Sequence, residues 1–341
     1  MVEEVRPNLF RVKIPLPDSP LRFLNSYIII STKRNLIIDT GLNRQECFEA
    51  MKSALKELKV KLEVTDFFIT HLHADHFGLL SKLVTESSKV YFNRPDAEII
   101  ESWEGFETMI AYAGRSGFPE GKLRSALTQH PGYKFGSDWV PKLNILKDGD
   151  HIDIGEYHFQ CIETPGHTLG HTCLYEPDKK ILVSGDHVLQ DISPNIQCWS
   201  DDENPLKSYL KSLEKVFELD ADLVLPGHRR LFNDHRQRIR ELQTHHSRRL
   251  TEIQDILSNS PISAYETASQ MTWDIRADSW KAFPLMQQWF ATGEAISHLR
   301  YLEEKRMIRR KMADNMVKFL IPSDRSLTQI IKNEPTLRNT G

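Results

Sequence analysis

Cysteine is scarce in this sequence of 341 residues, and the cysteines that occur lie far apart. They are Cys47, Cys161, Cys173 and Cys198. Without a C-x-x-C pair, the pattern argues against a zinc finger and against a dithiol redox site. We therefore expect reduced thiols, in the core or at the surface.

Long apolar runs are also missing. Nowhere do about 18 apolar residues run together, which is the length that a membrane-spanning helix needs. Near the N-terminus, Glu3 and Glu4 stand where a secretory signal would carry lysines before an apolar stretch. These absences predict a cytoplasmic protein that does not enter a membrane.

Several catalytic fingerprints are absent as well. The sequence has no serine nucleophile elbow, no P-loop and no dinucleotide-binding glycine motif. The segment ATGEA at 291–295 is better explained by a helix that starts at Thr292 than by a phosphate-binding turn. Chemistry of other kinds must be sought in the side chains that are present.

The composition is that of a folded chain, with 40% hydrophobic and 27% charged residues and a formal net charge of −3. Its length predicts one large domain with an appendage, or two domains. Residues 231–341 hold 17 Lys and Arg against 13 Asp and Glu, which hints at a second unit. This excess is too weak to establish nucleic-acid binding.

Residues 1–230 alternate strand-like and helical segments. Apolar runs at 25–30 and 35–41 flank a polar turn and predict a hairpin. A helical pattern follows, and the spacing of Asn43 and Glu46 predicts a capping box at its start. This order favours a fold in which helices cover sheets.

Two regions depart from that alternation. Residues 94–145 are rich in aromatics and predict either a helical insertion beside a pocket or a structural helical hairpin. Beyond residue 231 the pattern is mostly helical, with a capping box at Ser263 and Glu266 and then a hairpin turning at 314–315. Three helices followed by a hairpin is the order of a winged helix.

Metal-type side chains follow four predicted strands. The segments are HLHADH at 71–76, TPGHTLGH at 164–171, SGDH at 184–187 and LPGH at 225–228. A single PGH or GDH is weak evidence, because such short motifs occur by chance. Four in succession, each after a strand, predict a joint site.

Within HLHADH, an extended backbone would point His71 and His73 to the same side. Asp75 and His76 follow where the chain turns, and can reach a second point nearby. Two neighbouring cations repel each other, and a carboxylate between them is a common remedy, for which Asp186 is the candidate.

Two further histidines would complete the candidate ligand set. His167 would join His71 and His73 at one metal ion, and His228 would join Asp75 and His76 at the other. Each ion would keep a position open for water, as a catalytic site requires. We expect His171 and His187 to act beside the ligands or in packing.

These residues resemble the metallo-β-lactamase superfamily, whose signature H-x-H-x-D-H is matched at 71–76. The resemblance covers about 1–230 and implies an αββα sandwich with metals at one edge between two sheets. It also implies that Asp39, in a DTG turn, lies near the metals, although a structural carboxylate is the alternative. Arg229 stands where relatives often have glycine, which leaves the local backbone there in doubt.

The resemblance also fixes the expected fold class and domains. The class is α/β (α+β): a metallo-β-lactamase sandwich at 1–230, with a helical insertion at about 94–145, followed by a mostly helical, winged-helix-like domain at 231–341. Such a tail is similar to that of one branch, which includes the β-lactamase-like protein 2 group and bacterial metal-dependent hydrolases. The full ligand sets argue against the mononuclear dioxygenase branch and against a metal-free pseudoenzyme.

Such a site predicts a hydrolase, because a hydroxide bridging two dications can attack a carbonyl or phosphoryl centre. We expect cleavage of a small thioester, ester or lactone, with Asp75 as the candidate catalytic residue for proton transfer. The alternative is a nuclease for single-stranded RNA or DNA, and a metal-containing binding protein is a weaker third. In the nuclease, basic residues would meet phosphates, namely Lys305, Arg306, Arg309, Arg310 and Lys311.

Imidazole and carboxylate ligands suit several metals. We expect two divalent ions, zinc ahead of iron or manganese. The expected partner is a small-molecule substrate, with nucleic acid less favoured, no membrane, and a homodimer left open.

Overall fold

The computed structural model describes residues 2–102, 105–135, 141–258, 260–275 and 277–322 of the protein. Two β-sheets pack face to face, because their strands carry apolar side chains toward a shared interior. In that interior, Tyr27 and Phe68 of the first sheet meet Phe159, Leu174 and Leu225 of the second. All five are buried, and each such side chain contributes about 1.5–3 kcal/mol to folding.

The first sheet has seven strands, in the order β1-β2-β3-β4-β5-β6-β7. They are β1 (Val2–Arg6), β2 (Leu9–Pro15), β3 (Phe23–Ile29), β4 (Asn35–Ile38), β5 (Thr65–Phe68), β6 (Val90–Asn93) and β7 (Leu143–Leu146). Pairing is antiparallel from β1 to β4 and parallel from β4 to β7. The predicted hairpin is the antiparallel pair β3 and β4.

The second sheet has five strands, in the order β12-β11-β10-β9-β8. They are β8 (His151–Ile154), β9 (Tyr157–Glu163), β10 (Thr172–Glu176), β11 (Ile181–Gly185) and β12 (Leu223–Pro226). Only the β11–β12 pairing in this sheet is parallel. The ends of β11 and β12 therefore deliver the segments that follow them to the same edge.

Helices cover the outer faces of both sheets. On the first sheet lies α1 (Gln45–Glu57), whose Cys47 and Met51 are buried in the outer core. On the second lies α7 (Pro205–Phe217), which buries Leu206 and Tyr209. The expected αββα layering is confirmed.

Between β6 and β7 the chain forms short helices, as the sequence predicted for an insertion. They are α3 (Arg94–Glu101), α4 (Glu107–Arg115), α5 (Glu120–Gln129) and α6 (Pro131–Phe135); a short α2 (Ala74–Phe77) precedes them. Ala113 and Leu123 of this insertion share a core with Trp289 from the C-terminal region. The insertion thus packs against the tail of the chain as well as beside the sandwich.

The C-terminal region is mostly helical. It comprises α8 (His235–Leu257), β13 (Ile262–Ser263), α9 (Ala264–Gln270), α10 (Leu285–Glu304), β14 (Arg309–Ala313) and β15 (Met316–Leu320), and its sheet has the order β13-β15-β14. The predicted capping box at Ser263 and Glu266 is present. The predicted hairpin turns at Asp314 and Asn315, whose φ angles of 54° and 58° suit a type I′ turn. Ile239 and Leu242 of α8 also pack into the core around α7. The domain boundary at residue 230 therefore stays a prediction.

Two predicted helix starts are wrong. The first is the capping box at Asn43 and Glu46: α1 is capped by Arg44 without a side-chain hydrogen bond, and the Arg44 guanidinium engages the Glu46 carboxylate at 2.7 Å instead. The second is the start at Thr292, which lies inside α10. Its hydroxyl donates to the Gln288 carbonyl at 2.7 Å, so a threonine is satisfied within the helix.

Two expectations concern the cysteines and the membrane. All four cysteines are buried and free, as reduced thiols should be. Among the helices in the described ranges, none has the length and apolar character needed to cross a bilayer.

Candidate metal centre

All seven candidate ligands converge at one edge of the sandwich. β5, β11 and β12 end there, and each is followed within a few residues by predicted ligands, while the loop between β9 and β10 supplies His167. Close approach is needed at Gly227, where an added Cβ would lie 2.5 Å from Asp186 Oδ1 and 2.8 Å from His76 Cε1. A glycine at this position therefore lets β12 bring His228 into the cluster.

The ligand atoms form three overlapping groups, within each of which all the atoms lie within 4.8 Å of one another. One contains His71, His73 and His167; another contains Asp75, His76 and His228; and the third contains His71, His76 and Asp186. The first two are the sets that the sequence predicted for two metal ions. Asp186 lies where the two sets meet, and the role of all seven as metal ligands stays a prediction.

Three of the imidazoles are held by oxygen atoms on the side away from the cluster. A hydrogen bond at Nδ1 fixes the ring and leaves Nε2 free to coordinate. The bonds run from His76 to Asp39 Oδ2 (2.7 Å), from His167 to the Asn195 carbonyl (2.8 Å) and from His228 to the Phe23 carbonyl (3.0 Å). Asp39 thus lies directly behind a candidate ligand, as the resemblance implied.

Four buried polar atoms point into the cluster without a hydrogen-bond partner among the described residues: Nε2 of His76, His167 and His228, and Oδ1 of Asp186. The three imidazole nitrogens lie 3.4–3.7 Å from the carboxylate oxygens of Asp186. These contacts are too long or too poorly aligned for good hydrogen bonds. Buried polar atoms are normally satisfied, so these four atoms require a partner other than a described residue. A cation among these atoms would satisfy all four, and the residues therefore fit a metal site.

Burial and charge set the protonation of the cluster. Burial lowers the pKa of His71, of His167 and of His73, the last to about 3, so these rings are neutral and suited to ligation. For His228, burial alone would lower the pKa, but Asp186 and Asp75 outweigh it and raise the pKa to about 10. The carboxylates thus favour a positive charge here, which a metal ion would supply in place of a proton.

Asp96 joins two loops that carry candidate ligands, and the sequence analysis missed it. Its Oδ2 accepts hydrogen bonds from the Leu72 amide (2.9 Å) and the Thr168 hydroxyl (2.8 Å), and its Oδ1 accepts one from the Gly170 amide (2.7 Å). Burial raises the pKa of Asp96 to about 6 despite these donors. Its place just after β6, which is parallel to β5, is the one sequence signal that pointed here.

The remaining predicted positions lie around the cluster. His171 Nε2 accepts the Asp186 amide at 3.1 Å, so it positions the shared carboxylate. The His187 ring packs against Tyr209, with centroids 5.2 Å apart. Arg229, which stands where relatives often have glycine, has φ 67°, so it keeps a left-handed backbone despite its side chain.

A cavity of about 2650 Å³ opens over the cluster. His73, Asp75 and Asp186 lie at its floor, Phe106 of the insertion and Arg249 of α8 at its walls. The insertion and the C-terminal region therefore both shape the space that a substrate would enter.

Comparison with known proteins agrees with this geometry. The model of the family described as "Metallo-beta-lactamase superfamily" matches residues 20–228. The chain is 26% identical over 333 residues to "Probable metallo-hydrolase YqjP" of Bacillus subtilis, covering 92% of this chain and 97% of that protein. It is 28% identical over 225 residues to "Acyl-coenzyme A thioesterase MBLAC2" of Homo sapiens, covering 62% of this chain and 75% of that protein.

Solved structures extend the likeness into the C-terminal region. A metallo-beta-lactamase family protein from Thermus thermophilus superposes with a TM-score of 0.79 at 25% identity, covering 94% of this chain and 100% of that one. A beta-lactamase domain protein from Burkholderia ambifaria gives 0.82 at 24% identity, with 94% of each chain covered, which bears on the fold alone.

Proposed function

This chain belongs to the metallo-beta-lactamase superfamily, and from that premise we propose that it is a metal-dependent hydrolase with two divalent ions that cleaves a thioester, ester or lactone. One observation carries the proposal: unpaired Nε2 atoms of three histidines and an unpaired oxygen of Asp186 face one another in a buried cluster that opens into a cavity.

The ligand roles follow the two groups of side chains. His71, His73 and His167 would hold one ion, while Asp75, His76 and His228 would hold the other. Asp186 is shared. Zinc is the proposed metal, with iron or manganese as alternatives. When bound, such ions lower the pKa of water and polarise a carbonyl.

Asp75 is the proposed proton-handling residue. Its side chain is 19% exposed against 10% for Asp186, so it is the more open of the two carboxylates to the cavity. Burial would raise the pKa of Asp75, but the neighbouring imidazoles of His228 and His76 lower it, and the group stays ionised. An ionised carboxylate can accept a hydrogen bond from the attacking water and orient it. Its ligand role still takes precedence, since ligation weakens a base.

A thioester is the favoured substrate within this class. One relative bears the name acyl-coenzyme A thioesterase. The cavity, at about 2650 Å³, exceeds the roughly 300–1000 Å³ of ordinary small-molecule sites, so it has room for an extended substrate. Phe106, Met109 and Tyr133 of the insertion line it and offer apolar surface for an acyl chain.

The C-terminal region, which we propose to be winged-helix-like, would serve mainly to complete this cavity. For the nuclease alternative, Arg310 should be free to meet phosphate. It is instead paired with Glu303 and with Asp201, at 2.7 Å for the first contact. Two carboxylates therefore already neutralise a central member of the predicted basic surface.

The test is turnover of matched substrates by the purified protein. An acyl thioester, a carboxylic ester, a lactone and single-stranded RNA are assayed before chelation, after chelation and after return of zinc, with bound metals counted by elemental analysis. We expect thioester hydrolysis that is lost on chelation and regained with zinc, at two metal ions per chain. Cleavage of RNA without any thioester, ester or lactone turnover would replace this proposal with the nuclease.

A further inference from the structure

We propose that α8 carries a second subsite, centred on Arg248 and Arg249, which binds a negatively charged group on the leaving thiol of the substrate. This inference rests on the proposed function and narrows its substrate to an extended thioester with an anionic end.

One face of α8 runs along the cavity. Arg238, Leu242, His245, Arg249 and Glu252 all line it, at the three- and four-residue spacing of a single helix face. At a rise of about 1.5 Å per residue, Arg249 lies roughly 16 Å along the helix from Arg238.

The near end of this face adjoins the metal-type cluster. Arg238 donates to the carbonyls of Leu189 (2.7 Å) and Ile192 (3.0 Å). Both belong to the segment that links Asp186 to Asn195, the residue whose carbonyl holds His167. The cavity is therefore elongated, with the candidate metal centre toward one end and Arg249 toward the other.

Arg249 is held in place by its neighbours and keeps one hydrogen-bond donor without an acceptor. Its side chain is 11% exposed, and its guanidinium lies 4.1 Å from the centroid of the Trp273 ring. Nε lies 3.2 Å from His245 Nε2 and 3.4 Å from Glu294 Oε1, whereas Nη1 is buried and has no hydrogen-bond partner in the described part of the chain. A buried guanidinium N–H without an acceptor calls for one.

Arg248 adds an exposed cation at the next position. It lines the same cavity and forms no ion pair with any residue in the described ranges.

Acidic residues also lie near the two arginines. Glu252 accepts a hydrogen bond from the Thr272 amide at 2.6 Å, Asp274 lines the cavity wall, and Glu294 faces Arg249. Burial raises the pKa of Glu294, which weakens it as a counter-charge, although Arg249 opposes that shift.

The electrostatics of His245 agree with a positive surface here. Burial, together with the charges of Arg249, Arg238 and Arg248, lowers the pKa of His245 to about 4. Guanidinium groups bind carboxylates and phosphates through paired, charge-assisted hydrogen bonds. An anionic group is therefore the ligand chemistry that fits Arg248 and the unpaired Nη1 of Arg249.

The test uses one acyl group on three thiols: coenzyme A, which carries phosphates; glutathione, which carries carboxylates; and N-acetylcysteamine, which is uncharged. Arg248→Ala removes an exposed side chain without an ion pair, so folding should be kept. Arg240→Ala, at an exposed arginine of α8 outside the cavity, is the matched control.

For R248A we expect the KM of an anionic thioester to rise about tenfold, with kcat unchanged and the uncharged thioester unaffected. R240A should match the wild type. Whether the coenzyme A or the glutathione thioester responds identifies phosphate or carboxylate as the ligand. An equal change for all three thioesters, or no change for either anionic one, overturns the subsite.

A binding measurement separates this inference from the hydrolase proposal. Coenzyme A and S-methylglutathione are titrated calorimetrically into wild type and R248A. Weaker binding to R248A in a protein that hydrolyses no thioester would keep the subsite and reject the proposed function. Thioester hydrolysis with equal binding to both proteins would keep the function and reject the subsite.

Discussion

Two groups of buried histidines lie in this molecule, and their surroundings differ. In the C-terminal region, His246 of α8 and His298 of α10 lie 3.0 Å apart, Nδ1 to Nε2, and His298 Nδ1 donates to the Glu294 carbonyl at 2.8 Å. At the sheet edge, the rings of His76, His167 and His228 are each tied at Nδ1 to an oxygen and turn Nε2 toward Asp186.

Burial alone does not distinguish the two groups. It lowers the pKa to about 3 both for His73 at the sheet edge and for His298 in the helices. The two groups differ in their neighbouring side chains. Within the described residues, neither His246 nor His298 belongs to a cluster of three metal-type side chains. An unpaired imidazole nitrogen facing Asp186 therefore distinguishes His76, His167 and His228 from the helical pair. Imidazole pairing does not, because His71 Nε2 and His73 Nδ1 also lie 3.0 Å apart.

Removing the charge of Asp186 should have the largest effect on the sheet-edge group. Asp186→Asn keeps the shape of the side chain but removes the negative charge that lies between the two ligand sets. We expect loss of bound metal and a fall in kcat/KM of roughly a thousand-fold, since metal ions supply several kcal/mol to such reactions. Elemental analysis and thioester kinetics measure both effects.

Asp191→Asn is the control, because Asp191 is exposed on the following segment and pairs with Arg230 at 2.8 Å. It should keep both metal and activity. Full metal content in D186N would contradict the proposed shared ligand.

Removing the carboxylate of Asp39, which holds the ring of His76, should have the second-largest effect. Asp39 accepts His76 Nδ1 through Oδ2 and the Thr70 amide through Oδ1, at 2.7 and 2.9 Å. An asparagine cannot accept at both positions, so Asp39→Asn should lower metal affinity and activity by about 10–100-fold. Competition with a chelator measures the affinity. Unchanged affinity would mean that Asp39 serves the backbone alone.

The tie between ligand loops should have a smaller effect. In Asp96→Asn, one terminal group becomes an amide donor, so either the Leu72 or the Gly170 amide loses its acceptor. We expect a free energy of unfolding lower by about 1–3 kcal/mol. Urea unfolding measures it. Asp153→Asn, at an exposed carboxylate of β8, should leave stability nearly unchanged, and equal behaviour of the two variants would contradict the proposed tie.

Sequence reasoning reached the candidate ligands because each lies next to a local signal, namely an apolar strand and a glycine or histidine motif. His71, Asp186 and His228 could be named without knowing how the sheets pack. Asp96 could not, since its three donors come from residues 24 and more positions away along the chain. The same holds for Arg249, whose meaning depends on a cavity wall that only the packed C-terminal region creates.

The pH dependence of stability sharpens the comparison at the helical group. The pKa of His298 is about 3 in the fold, because of burial, against an ordinary value of 6.5. Below pH 6.5 the unfolded chain therefore binds a proton that the fold excludes, and stability is lost as the pH falls toward 3. In His298→Gln, the stability between pH 6 and pH 4 should fall less steeply than in the wild type, by at most about 1.4 kcal/mol per pH unit. Urea unfolding of both proteins measures this, and the titration of the sheet-edge histidines cancels in the difference. Parallel curves of stability against pH would show that His298 does not titrate on unfolding. The helical histidines would then differ from the sheet-edge histidines in their titration as well as in their neighbours.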